Sequence, residues 1–182
     1  LLQRVHAHLH DDGLFAFVNL HYYYFLQRNW PAVALANVRD MGVFIISPND
    51  KGGQLFNAPD KLRALCAPLT PIQWNARFCL SSGLVHTLSF GMTEPSHFDE
   101  IPGVCADGLQ WGTHDRRILA SLDKRAACDP WAAVDGYTID PGDSGITIAE
   151  ILRFRKMWKC YDMQDWCTYR YNMFQEKGHW FP

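Results

Sequence analysis

Three short runs of β-branched and aromatic residues stand out along the chain: Phe15–Tyr24, Val43–Ser47 and Val85–Phe90. Each is bounded by Gly, Pro, Asn or Asp and lies beside a stretch with helical periodicity. The runs are apolar nearly throughout rather than alternating, which predicts strands buried on both faces. Leu1–His10 reads as a helix, closed by a turn at Asp11-Asp12-Gly13. A second helix is expected over Pro31–Arg39, with Asn29 as its candidate cap and Gly42 beyond its end. Asn57-Ala58-Pro59-Asp60 starts a third, which Pro68 stops, and Thr70-Pro71 starts a short fourth, because proline suits the first helical position. Thr93-Glu94-Pro95 starts another. Helices alternating with strands over residues 1–100 mean parallel strands joined by helical crossovers.

Beyond Glu100 the pattern changes. Residues 101–146 are rich in Gly, Asp and Pro and show no clear strand, so an irregular segment is expected there. Thr147-Ile148-Ala149-Glu150 has the form of a capping box. Ile151, Phe154, Trp158 and Tyr161 follow at helical spacing and predict one strongly apolar face, with a break near Asp162 and helix on to about Tyr171. The chain thus divides into an α/β part, residues 1–100, and an irregular and helical extension, residues 101–182. No internal repeat or low-complexity segment is present.

Composition narrows the function classes. The chain has 182 residues, 48% hydrophobic and 20% charged, enough for one sizeable core. With 17 Lys+Arg against 19 Asp+Glu and no basic block, nucleic acid is set aside as a partner. The apolar stretches at Gly42–Ile46 and Leu14–Leu20 are too short to span a bilayer. Six cysteines without a CxxC suit reduced, structural thiols and a reducing compartment, with Cys66 and Cys79 as small buried hydrophobes. The opening Leu1-Leu2-Gln3-Arg4-Val5 reads as the middle of a helix, so a preceding part, lost to processing or outside this sequence, is expected. His6 and His10 share a helical face while His8 points elsewhere, which gives no three-ligand metal site. Asp115-Arg116-Arg117 and Asp123-Lys124-Arg125 mix signs, as a solvated helix surface does. His179-Trp180-Phe181 reads as a docked C-terminal anchor.

In parallel α/β folds, chemistry gathers where strand ends lead into helix N-termini. The second strand runs into Ser47-Pro48-Asn49-Asp50-Lys51-Gly52-Gly53-Gln54, where paired glycines admit an anion to the backbone and Lys51 adds a positive charge. The third runs into Gly91-Met92-Thr93 with a helix start behind it, which favours phosphate. The same residues equally form plain glycine turns, and Lys51 precedes the glycines, so this is not a Walker A loop. The first strand ends in Asn19-Leu20-His21-Tyr22-Tyr23-Tyr24-Phe25. An amide and an aromatic there suit a planar heteroaromatic ring, and a bulky core strand is the alternative.

Taken together, Phe15–Phe25, Met41–Gly53 and Val85–Glu100 resemble the second half of an aldo/keto reductase. Arg170-Tyr171-Asn172-Met173 and Gly178–Pro182 resemble the branch of that family with a helical C-terminal extension. The resemblance implies part of a (β/α)8 barrel, strands six to eight, that binds NADPH or NADH and reduces a small carbonyl substrate. By the same resemblance Asn19 bonds the nicotinamide carboxamide and Tyr22 stacks on its ring. Ser47, Lys51, Gly52 and Gly53 lie along the pyrophosphate, and Gly91, Thr93, His97 and Glu100 surround the adenosine. The family often has Lys and Arg for the 2′-phosphate where this chain has Gly91 and His97, which weakens the basis for preferring NADPH over NADH.

The family's catalytic Tyr, Lys, Asp and His lie on earlier strands, and no residue here matches them. This chain alone is therefore expected to be inactive, with no catalytic residue of its own. Cys105, Cys128, Cys160 and Cys167 lack the close spacing of an iron–sulfur cluster, and no metal is expected. The rival reading is a non-catalytic interaction or assembly subunit derived from the reductase fold. In either case a partner subunit, or more of the same polypeptide, is expected over the open barrel edge.

Overall fold

The computed structural model describes residues 15–175. The Leu1–His10 helix, the turn at Asp11-Asp12-Gly13, the His6/His8/His10 set and the Gly178–Pro182 tail lie outside the described residues. Among the described residues three strands form, β1 (Phe17–Leu20), β2 (Gly42–Ile46) and β3 (Thr87–Ser89), paired in parallel in the order β1-β2-β3. The connections between them are right for such a sheet. Helix α1 (Trp30–Val38) joins β1 to β2; α2 (Asp60–Cys66) and α3 (Pro71–Leu80) lie between β2 and β3. Helix α3 starts where Thr70-Pro71 predicts, and a capping box not read from the sequence closes it: the Thr70 hydroxyl accepts from the Gln73 N–H and the Gln73 side chain accepts from the Thr70 N–H. Asn29 does not cap α1; its Nδ2 instead donates to the His21 carbonyl at 2.8 Å, tying the helix start to the end of β1.

The sheet has two unlike faces. Leu20, Val43 and Ile45 are buried on one face with Ala32, Val33 and Ala36 of α1, and Val18, Phe78 and Leu88 pack against that cluster. On the other face Phe17 is 62% exposed, Asn19, Thr87 and Ser89 are exposed, and Phe44 and Ile46 are half-buried. The parallel register lines up Asn19, Phe44 and Thr87 across that face. Burial on both faces, expected from the apolar runs, is thus not observed. An apolar run records what a strand could bury, not what the fold supplies to cover it.

By compactness the chain forms two units. One runs through Asn57 and resumes over Pro68–Asp115; the other joins Ala58–Ala67 to the chain from Arg116 onward. The first unit is braced by a buried ion pair. Arg77 Nε and Nη2 bond the Asp115 carboxylate at 2.7 and 2.8 Å, and Arg77 Nη1 bonds the carbonyls of Val104 and Gly108. Asp115 is therefore buried, not solvated as its charged neighbourhood suggested, because its partner lies 38 residues away. Burial alone would raise the Asp115 carboxyl, but the hydrogen bonds from Arg77 and the Gly112 N–H outweigh it and hold the group below the usual carboxylate range.

Residues 101–146 are more regular than expected: α4 (Pro102–Cys105) is followed by the 14-residue α5 (Thr113–Ala126). In the second unit, α5 buries Ile118 and Leu122, and the Tyr161 hydroxyl donates to the Leu122 carbonyl at 3.1 Å. Helix α6 (Ile148–Tyr161) ends at Asp162, which adopts φ 59°, and α7 (Gln164–Gln175) follows. Thr147 precedes α6 without a side-chain cap bond, so the expected capping box does not form. Glu150 is buried and bound to Arg153 at 2.9 Å instead. The buried stripe of α6 is Phe154, Met157, Cys160 and Tyr161, while Trp158, expected on that stripe, is 41% exposed. No helix among the described residues is long and apolar enough to cross a membrane.

Candidate functional site

The loops that leave β2 and β3 meet in the first unit around a cavity of about 370 Å3. Ser47, Asn49, Asp50 and Gly53 line it from the β2 side, and Ser89, Gly91 and Thr93 from the β3 side. Parallel pairing places both strands' carboxyl ends at the same edge of the sheet, so two loops distant in sequence converge. The β2 loop is tightly wound. Asp50 N–H donates to the Ser47 carbonyl and Gly53 N–H to the Asp50 carbonyl, each at 3.0 Å, leading into a 3-10 turn over Lys51–Asn57. Three of its residues lie in the left-handed region, Ser47 at φ 54°, Asp50 at 59° and Gly53 at 70°. Glycine is at home there, whereas a serine costs about 1 kcal/mol and is kept only when the surroundings impose it.

Two buried asparagines impose it. Asn49 is 1% exposed and its Nδ2 donates to the Gly91 carbonyl at 2.8 Å, joining the two loops across the cavity. Asn75 of α3, 0% exposed, accepts from the Tyr24 N–H at 3.0 Å and donates to the Pro48 carbonyl, fixing the β2 loop to the segment after β1. The Tyr23 hydroxyl donates to Asp50 Oδ1 at 3.4 Å. None of Asn49, Asp50, Asn75 or Tyr23 was singled out as a site residue from sequence. Asn75 had one legible signal, an amide set among Ile72, Trp74, Ala76 and Cys79 on the apolar side of its helix.

The residues singled out from sequence are distributed unevenly. Ser47, Gly53, Gly91 and Thr93 are brought together in the cavity wall. Lys51 and Gly52 open the 3-10 turn, and the Lys51 side chain lies outside the described part. A Cβ on Gly91 would meet nothing within 4 Å, so this backbone is open to close approach. His97 stands just beyond: its Nδ1 accepts the Thr93 N–H at 3.2 Å and its ring stacks on Phe56, centroids 3.6 Å apart. Glu100 is committed elsewhere, its Oε2 accepting the Thr70 hydroxyl.

Asn19 and Tyr22 do not share a surface. Asn19 is exposed on the uncovered face of β1, whereas Tyr22 is buried with Leu20 among the residues under α1. The Tyr22 ring packs at 5.4 Å from Trp30 and 5.8 Å from Phe78, and burial, then Cys79, pushes its hydroxyl up to about 12. Cys66 and Cys79 are fully buried thiols, and burial raises both, Cys66 to about 12. They are packing groups rather than nucleophiles. Among the described residues no group of three or more His, Cys, Asp or Glu could hold a metal ion.

No known protein family, curated protein or solved structure matches this chain.

Proposed function

We propose that this chain is the cofactor-holding part of an aldo/keto reductase-type oxidoreductase, and that the cavity between the β2 and β3 loops receives the pyrophosphate of NADPH or NADH. One observation carries the reading. Two loops at the carboxyl edge of a parallel sheet, one with a strained backbone and paired glycines and the other with the open Gly91, are locked around a cavity by the Asn49–Gly91 bond. The open backbone at Gly91 and the hydroxyls of Ser47, Ser89 and Thr93 suit phosphate oxygens. The exposed amide of Asn19 lies on the face that a barrel would turn inward, where a carboxamide would be met.

When bound, such a cofactor supplies a hydride to a carbonyl carbon. This chain's part is to bind and orient the dinucleotide. No proton donor for the carbonyl oxygen is assigned to this chain, because none of its residues falls where the family has its catalytic Tyr, Lys, Asp and His. The uncovered sheet face supports the barrel reading, since parallel sheets are ordinarily covered on both sides. In a (β/α)8 barrel that face looks into the packed interior, and the strands flanking β1 and β3 close the ring.

Calorimetric titration with NADPH and with NADH tests the reading: saturable binding of either is expected, and no binding of either at millimolar concentration sinks it. Turnover tests the absence of a catalytic set from this chain. The purified chain is expected to reduce no aldehyde, ketone or quinone above the buffer rate.

A further inference from the structure

The second unit carries a groove that the reductase reading does not use. It lies between α6 and α7 and encloses about 390 Å3, the lower end of the range for small-molecule sites. Its walls are apolar: Ile151, Phe154 and Trp158 on α6 and Tyr171 on α7. Trp158 and Tyr171 are 41% and 42% exposed, aromatic surface that this unit leaves in water beside a concave wall.

The polar character of the groove is one-sided. Arg155 and Lys159 line it, and among the described residues no carboxylate does. Arg155 directs its Nε at 3.2 Å to Asp129, whose side chain is buried, and that bond uses neither terminal nitrogen of the guanidinium. The Lys159 ammonium stands 4.2 Å from the centre of the Trp158 ring, an attraction that holds the charge at the lip of the groove. Ile151, Arg155, Trp158 and Lys159 recur at helical spacing, so the two cations and the apolar wall lie on one side of α6. An apolar trough with Lys159 at its lip and an arginine already paired to Asp129 carries about one net positive charge, complementary to an apolar body ending in a single anion.

We propose that the groove between α6 and α7 binds a medium-chain fatty carboxylate, its chain along Ile151, Phe154 and Tyr171 and its carboxylate on Lys159 and Arg155. The carboxylate supplies an acceptor for the Lys159 ammonium, and the chain covers the exposed aromatic rings.

The test uses the full chain and calorimetry, with octanoate and octan-1-ol as probes. Octanoate is expected to bind saturably, and octan-1-ol about tenfold more weakly, the difference made by a charge-assisted contact. Lys159→Gln should bring octanoate down toward the alcohol and Lys159→Arg should restore it. Because Lys159 is exposed, neither variant threatens the fold. Thr168→Trp, at an exposed position in the α7 wall, should block both probes. Equal binding of octanoate and octan-1-ol, binding indifferent to Lys159→Gln, or no octanoate binding at millimolar concentration would each overturn the proposal.

Discussion

Asn49 offers the sharpest test of how the two loops are held. Its Nδ2 donates to the Gly91 carbonyl at 2.8 Å from a site that is 1% exposed. Asn49→Ala removes that donor and leaves a carbonyl with one partner fewer, a loss of about 2 kcal/mol, or roughly thirtyfold in the folding equilibrium. Asn49→Asp is nearly isosteric but sets a carboxylate oxygen against a carbonyl oxygen. When ionised it costs more than the alanine, because two acceptors face each other and a charge is desolvated. When protonated it can donate as the amide did. The introduced carboxyl is therefore held above its unfolded pKa in the folded protein. Its contribution to stability is full below the unfolded value of about 3.9 and is lost as pH rises through the folded one. Urea denaturation across pH 4–8 reads this directly. The aspartate variant should approach wild type at the acid end and fall below the alanine variant at neutral pH, while the alanine deficit stays flat. Two variants with the same deficit at every pH would refute the Asn49–Gly91 bond as the tie between the loops.

Three further outcomes are expected. Asp115→Ala should cost about 3–5 kcal/mol in urea denaturation, because it strands the Arg77 charge in a buried site. In the wild type, whose Asp115 carboxyl is depressed, the pair's contribution is present above the ordinary carboxylate value and lost as pH falls through the depressed one; an acid melt unchanged by Asp115→Asn would contradict this. Asp50→Asn should tighten dinucleotide binding several-fold by calorimetry, since it removes a carboxylate from the wall of a cavity assigned to an anion; weaker binding would place the pyrophosphate elsewhere. Finally, light scattering after size exclusion should find self-association of the isolated chain, driven by the face that bears Phe17 and Phe44 and by the outer edges of β1 and β3. A monodisperse monomer with a cooperative melt would show that this sheet needs no further strands.

The parts of this structure that were legible in the sequence are those governed by local rules. The three strands, the helix start at Thr70-Pro71 and the break at Asp162 depend on neighbours within a few residues, and the parallel pairing follows from the helical crossovers between the strands. Where a distant residue takes over, local rules fail. Thr147 and Glu150 have the spacing of a capping box, but Glu150 is turned inward to Arg153. Asp115 sits in a charged stretch, yet Arg77 on another helix draws it into the interior. The same distinction runs through the candidate site. Ser47, Gly53, Gly91 and Thr93 were visible as strand-end loop residues. Asn49 and Asn75 act through carbonyls 42 and 27 residues away, which no spacing encodes. Tyr22 was read by its position at a strand end, and its ring is packed against Trp30 and Phe78 because α1 and α3 cover that side of β1.

The central claim is that the cavity between the β2 and β3 loops is a dinucleotide cradle. Hydrogen–deuterium exchange with and without saturating NADPH tests it most directly, because it reports where the cofactor acts. Slowed exchange is expected in peptides covering residues 47–57 and 89–97, with those covering α6 and α7 unchanged. Unchanged exchange in both loop segments at saturating NADPH would contradict the claim.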